Sequence, residues 1–125
     1  MKLVEDTNIA VGKGLTVYTD TVKFGGVNDF ALSYIVTCTG IPSIRIQMEQ
    51  GINKPTIENA ADAGFGVPKT VGDIETALTS KTIQHMQLTP VTLGYIRFKI
   101  TDNDTGPTDT VVNMWITLQK KSFSD

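Results

Sequence analysis

The stretch Ser43-Ile44-Arg45-Ile46-Gln47-Met48-Glu49-Gln50 alternates between apolar and polar side chains. Successive side chains of an extended strand leave on opposite sides. A period of two therefore puts Ile44, Ile46 and Met48 on one face and Arg45, Gln47 and Glu49 on the other. A strand with one greasy and one charged face belongs on the outside of a two-layer structure. Further along, residues 95–101 (YIRFKIT) repeat the pattern, with Ile96, Phe98 and Ile100 inward and Arg97 and Lys99 outward. Residues 109–119 do so again, with Val112, Met114, Ile116 and Leu118 opposite Asn113 and Thr117. Trp115 falls on the polar side of that segment, either covering an adjoining apolar patch or standing free as a contact residue.

Composition agrees with strands. The chain of 125 residues holds 18 Thr, 12 Ile and 11 Val, so a third of it is β-branched. Such side chains are stiff at χ1 and pack well on a pleated surface. Residues 15–18 and 21–24 read as a strand ended by a Gly25-Gly26 turn. Residues 30–39 (FALSYIVTCT) read as a longer strand, apolar on both faces and so central, stopped by Gly40 and Pro42. Residues 1–14, with Gly12, Gly14 and isolated apolar side chains, read as an extended arm. The hard part is 51–80: Thr56 and Glu58 suit the start of a short helical turn, 73–78 is open between helix turn and strand, and 80–88 reads as a strand. Long connections carrying partial structure are where surface specificity is expected. The expected fold is all-β: one antiparallel β-sandwich, jelly-roll-like, over 15–125, with an N-terminal arm over 1–14 and one long loop region.

Charge and cysteine content narrow the function. Eleven basic residues against thirteen acidic give a net charge of −2, and only Lys120 and Lys121 of the basic ones adjoin. Nucleic-acid affinity comes mostly from Lys and Arg neutralising phosphates, so no nucleic-acid partner is expected, and for the same reason no anionic membrane surface. No apolar run is long enough to cross a bilayer, and the first six residues lack the apolar region of a signal peptide. The single cysteine, Cys38, excludes an intrachain disulfide and reads as a small buried hydrophobe.

Chemistry is sparse. The single histidine, His85, has no nucleophile or carboxylate at telling spacing and reads as structural or surface. There is no Gly-x-Ser-x-Gly, no phosphate-cradling glycine loop and no paired Cys or His at metal-ligand spacing. Asp102, Asp104 and Asp109 could offer oxygens to Ca²⁺, but no glutamate closes the loop, and a polar hairpin tip bent at Gly106-Pro107 is the plainer reading. The carboxylates Glu49, Glu58, Asp62, Asp73 and Glu75 are near in sequence, yet nothing places them about a sugar site. No catalytic residue, cofactor or metal is nominated, and no enzyme activity is expected.

The order of segments carries a resemblance. A short strand at 15–18 is followed by FALSYIVTCTG (30–40) and SIRIQMEQG (43–51). Next comes a loop with Ala60-Ala61-Asp62-Ala63 beside Phe65 and Val67-Pro68, then LTPVTLGYIRFKITDND (88–104) and VVNMWITLQ (111–119). This resembles small β-sandwich virion proteins of tailed bacteriophages, the head decoration or auxiliary capsid type, over nearly the whole chain. The Asp-Gly-x-x-Trp hairpin tip of comparable modules stands here as Gln50-Gly51-Ile52-Asn53-Lys54. The resemblance implies a non-enzymatic structural protein of the virion, assembled in the host cytoplasm. It would bind and stabilise the head shell, with the major capsid protein or other virion subunits as partners, and would form a homo-oligomer, a trimer suiting a capsid lattice. The reading from another class is a carbohydrate-binding or adhesion module, for which Trp115, Tyr95, Tyr34 and Asp102 are the available contacts.

Overall fold

The computed structural model describes residues 2–11, 14–24, 30–39, 43–67, 73–78, 82–88, 94–103 and 111–120. These residues form ten strands and no helix: β1 (Lys2–Val11), β2 (Thr16–Tyr18), β3 (Val22–Phe24), β4 (Phe30–Thr39), β5 (Ile44–Gly51), β6 (Phe65–Gly66), β7 (Asp73–Leu78), β8 (Thr82–Leu88), β9 (Gly94–Asp102) and β10 (Val111–Lys120). Every pairing is antiparallel. One sheet has the order β1-β10-β4-β8. The other is built on β5 and β9, with β2 and β3 along the far side of β9 and β6 and β7 along the far side of β5. Residues 2–11, read as an arm, are extended and lie in β1, paired with β10 from Lys2↔Gln119 to Val11↔Val112.

The expected alternation builds the core. Ile44, Ile46, Met48, Ile96, Phe98 and Ile100 are all fully buried. They lie on facing positions of β5 and β9, as in Ile46↔Ile100 and Met48↔Phe98. Burying each such side chain stabilises the fold by about 1.5–3 kcal/mol. From the other sheet, Leu32, Tyr34 and Val36 of β4 are buried as well. The Tyr34 hydroxyl donates to Glu75 Oε1 of β7 at 2.5 Å, a bond between the two sheets. Burial, then the bond to Glu75, raises the Tyr34 phenol far above its ordinary pKa, so it stays a proton donor at any physiological pH. β4 is interior to its sheet, as its length suggested, but one of its faces is partly open: Ile35 is 37% exposed.

The segment 15–24 is two strands, and Thr19 is the reason β9 keeps its ladder between them. Thr19 N–H donates to the Phe98 carbonyl, and its Oγ1 accepts the Phe98 N–H at 2.9 Å. A hydroxyl thus stands where a backbone carbonyl would, and the chain turns outward over Asp20 and Thr21. At the far end, Asp102 is buried rather than at a solvent-facing tip. Its Oδ1 accepts the Ser43 N–H, and its backbone bonds to Gly14 and Leu15. The 73–78 segment resolves as a strand, its pairing with β5 irregular at two points. The turns expected at Gly25-Gly26, Gly40-Pro42 and Gly106-Pro107 lie outside the described residues, as do Asp104 and Asp109.

Gly94 and Gly51 meet at the end of the β5–β9 pair. Gly94 has φ of +142°, and a Cβ there would come 2.5 Å from the Gly51 carbonyl oxygen. Only glycine adopts such a backbone at no steric cost. Gly94→Ala is therefore expected to lower unfolding free energy by about 1–3 kcal/mol. Gly66→Ala, where an added Cβ meets nothing within 4 Å, should stay within about 0.5 kcal/mol of wild type. Urea denaturation of the two variants checks the contrast.

Candidate functional site

Alternation reports which face a side chain takes, not whether that face is wet. Arg97, expected outward, does leave β9 on the side opposite Phe98, yet it is fully buried; Glu49 and Gln47 are nearly so, at 7% and 9%. Arg97 is covered by Tyr18 of β2 and by the connection after β5. Arg97 and Glu49 are register partners, and Arg97 Nε donates to Glu49 Oε1 at 2.9 Å. The guanidinium carbon lies 4.3 Å from the Tyr18 ring centroid and 4.7 Å from that of Phe65. Nη1 makes a long contact of 3.5 Å to the Ile57 carbonyl. Nη2 is buried with no acceptor among the described residues, so the two ring faces supply much of the negative potential around the cation. A desolvated cation–π contact is worth about 2 kcal/mol. Gly51 makes this stacking possible, since a Cβ there would sit 2.6 Å from the Phe65 ring. Burial, with Glu49 adding and Arg97 opposing, raises the Tyr18 phenol, which stays neutral at physiological pH.

The connection itself is tied by one carboxylate. Asp62 Oδ2 accepts the N–H groups of Thr56 and Ile57 at 2.7 and 3.1 Å. Its Oδ1 accepts the Gly64 N–H at 2.8 Å, an Asx-turn, and its carbonyl accepts the Phe65 N–H. The helical turn expected from Thr56 does not form. The Thr56 and Ile57 amides bond instead to Asp62, and Asn59 at φ of 60° leaves the right-handed region. Two further side chains fasten the loop to the outward turn after β2. Glu58 Oε1 accepts the Thr21 N–H at 2.7 Å, and Asn59 Nδ2 donates to the Tyr18 carbonyl and to Asp20 Oδ1. The pairing of β6 with the end of β5 completes the frame.

The result is a braced projection with an apolar outer surface. Ile52 is 86% exposed and Ile57 50%, with Val67 also exposed at the end of the loop. Beside Ile52 lies an open hollow of about 430 Å³, lined by Ile52, Pro55, Thr56, Asp62 and Phe65 among others. Large apolar side chains are thus held out into solvent by a hydrogen-bonded frame.

Of the residues nominated from sequence, Glu49, Glu58 and Asp62 come together, but as struts rather than paired acids. Asp73 instead forms a two-pronged surface ion pair with Arg45 at 3.1 and 3.2 Å. Tyr34 and Asp102 are buried and cannot offer themselves to a sugar. Trp115 is the register partner of Ile35, which pairs in turn with Ile83. Cys38 and His85 take places in β4 and β8. Among the described residues, no group of three or more His, Cys, Asp and Glu could hold a metal ion, and no helix is long and apolar enough to cross a membrane. Arg97 was missed as a site residue because a charge inside a period-two pattern reads as solvated. The available signal was Gly51, a side-chain-free position on the Glu49 face.

Two outcomes follow from the braces. Glu49→Ala leaves a buried guanidinium uncompensated and is expected to cost about 3–5 kcal/mol, whereas the Glu49→Leu/Arg97→Met pair recovers most of that loss; a denaturant double-mutant cycle measures it. Backbone hydrogen bonds, that from Gly64 foremost, hold the Asp62 carboxyl below its ordinary range. A depressed folded pKa contributes stability that is complete above the unfolded value of about 3.9 and is lost as pH falls through the folded one. The Gly64 amide resonance should therefore titrate below an ordinary aspartate, and an ordinary midpoint would contradict the turn.

No family model matches the chain, and no curated protein matches it either.

Proposed function

We propose that this chain is a non-enzymatic structural protein of a tailed-bacteriophage virion, a decoration or cement protein that binds the major capsid protein or neighbouring virion subunits and stabilises the head shell. Its two antiparallel sheets close on each other as a β-sandwich in this reading, supported by the buried faces of β4, β5 and β9 and by the Tyr34–Glu75 bond between the sheets. The observation that carries the function is the braced loop 52–67, which holds Ile52 and Ile57 out in water although the chain has spent a buried ion pair and an Asx-turn on fixing it. Fixing a loop before contact reduces the ordering cost of binding, and an exposed isoleucine flanked by a hollow gives a partner both a knob to receive and a socket to fill. The repeated surface of a shell adds avidity to contacts that are weak one by one. The carbohydrate-binding reading keeps Tyr95 and Trp115 of its four nominated contacts, and no observation favours it.

Mass spectrometry of particles purified from the source that encodes the chain tests the proposal. The chain should be present in fixed ratio to the shell protein and should rebind saturably to stripped particles, without dependence on added sugars. Its absence from particles, or saturable binding on a glycan array, would replace the proposal. Ile52→Ser should leave stability within about 0.5 kcal/mol of wild type while weakening particle binding roughly tenfold or more, the scale of an interface hot spot. Co-sedimentation over a range of particle concentrations gives the number.

A further inference from the structure

An antiparallel sheet ends in strands whose outer N–H and C=O groups await a partner, and proteins that stay monomeric blunt such edges with charges, prolines, bulges or brevity. Four edges can be compared here. β1 carries Lys2, Glu5 and Asp6, and its register shifts twice. β2 and β3 are three residues each, separated by the turn at Thr19, and β3 carries Lys23. β6 is two residues long, and β7 carries Asp73 and Glu75 with two irregularities. β8 has none of these devices. Its seven residues, Thr82-Ile83-Gln84-His85-Met86-Gln87-Leu88, include no Asp, Glu, Lys, Arg, Pro or Gly. It pairs with β4 in unbroken register from Phe30↔Leu88 to Val36↔Thr82. No described strand lies on its other side.

We propose that the outer edge of β8 pairs with β8 of a second copy of this chain, antiparallel about a two-fold axis, so that two four-stranded sheets become one of eight strands. Charge decides the occupant. In a two-fold pairing each strand meets itself, so any net charge on it would oppose a like charge across the axis, and β8 is the long edge without formal charge at neutral pH. The rival head-to-tail pairing, β8 of one copy on β1 of the next, would set this smooth edge against one with two bulges and three charges. The inference stands on the backbone and the charge pattern and does not require that the chain be a virion protein.

Sedimentation equilibrium of the full chain at pH 7.5 is the first measurement, with a mass twice the 13.6 kDa of one chain expected. The double variants His85→Lys/Gln87→Lys and His85→Glu/Gln87→Glu, at register positions on the same face as the exposed Ile35, should each sediment as monomers, and an equimolar mixture of the two should restore the dimer, which a simple loss of folding could not do. In the wild type, β8 amides should gain hydrogen-exchange protection as concentration rises, while β1 amides should not. A wild-type monomer at millimolar concentration, a trimer, an oligomer that both double variants retain, or concentration-independent exchange at β8 would each overturn the proposal.

Discussion

The Arg97–Glu49 pair is the constraint around which the second face of the six-stranded sheet is arranged. A guanidinium removed from water costs several kcal/mol unless its surroundings answer the charge. Here the answer comes from three separate parts of the chain: Glu49 opposite it on β5, Tyr18 on β2, and Phe65 with the Ile57 carbonyl from the loop. The β5–β9 ladder sets Glu49 opposite the cation, the β2–β9 ladder brings Tyr18 to it, and the pairing of β6 with the end of β5 brings Phe65. A charge that looks like surface decoration in the sequence is thus what makes a long connection into a defined piece of structure.

The loop's own order follows from local hydrogen-bond accounting. Three amides that would otherwise need water are taken by one carboxylate, Asp62, without any regular secondary structure. Glu58 and Asn59 join this frame to the turn at Asp20 and Thr21, which exists because Thr19 replaces a main-chain acceptor with a hydroxyl. The exposed isoleucines are therefore positioned by polar side chains, and the apolar surface and the polar frame form one unit.

How much of this was legible differs by kind of signal. Ile44, Ile46, Met48, Ile96, Phe98 and Ile100 were readable because a period of two has one geometric meaning. β4 was readable as interior to its sheet from its length and apolar content, but whether its second face is covered depends on what lies above Ile35, and composition carries no such information. The helical turn at 56–61 failed because Thr56 was weighed as a cap while Asp62, six residues on, gathers the Thr56 and Ile57 amides and closes the segment as a loop. The Asp62-Ala63-Gly64 spacing of an Asx-turn was there to be used. Burial of Tyr34 and Asp102 was out of reach: their partners Glu75 and Ser43 are 41 and 59 residues away.

The two dry sides of β9 bear on how the chain finds its native pairing. An ordinary outer strand that slips by one residue exchanges a core side for a wet side, and water tolerates the polar half of the error. In β9 there is no wet side near Arg97 to absorb the mistake. A slip would drive a cation among Ile44, Ile46 and Met48 and at the same time leave Phe98 facing a carboxylate under the loop. Misalignment is penalised twice, once by hydrocarbon and once by an orphaned charge, so this strand is proofread from above and below.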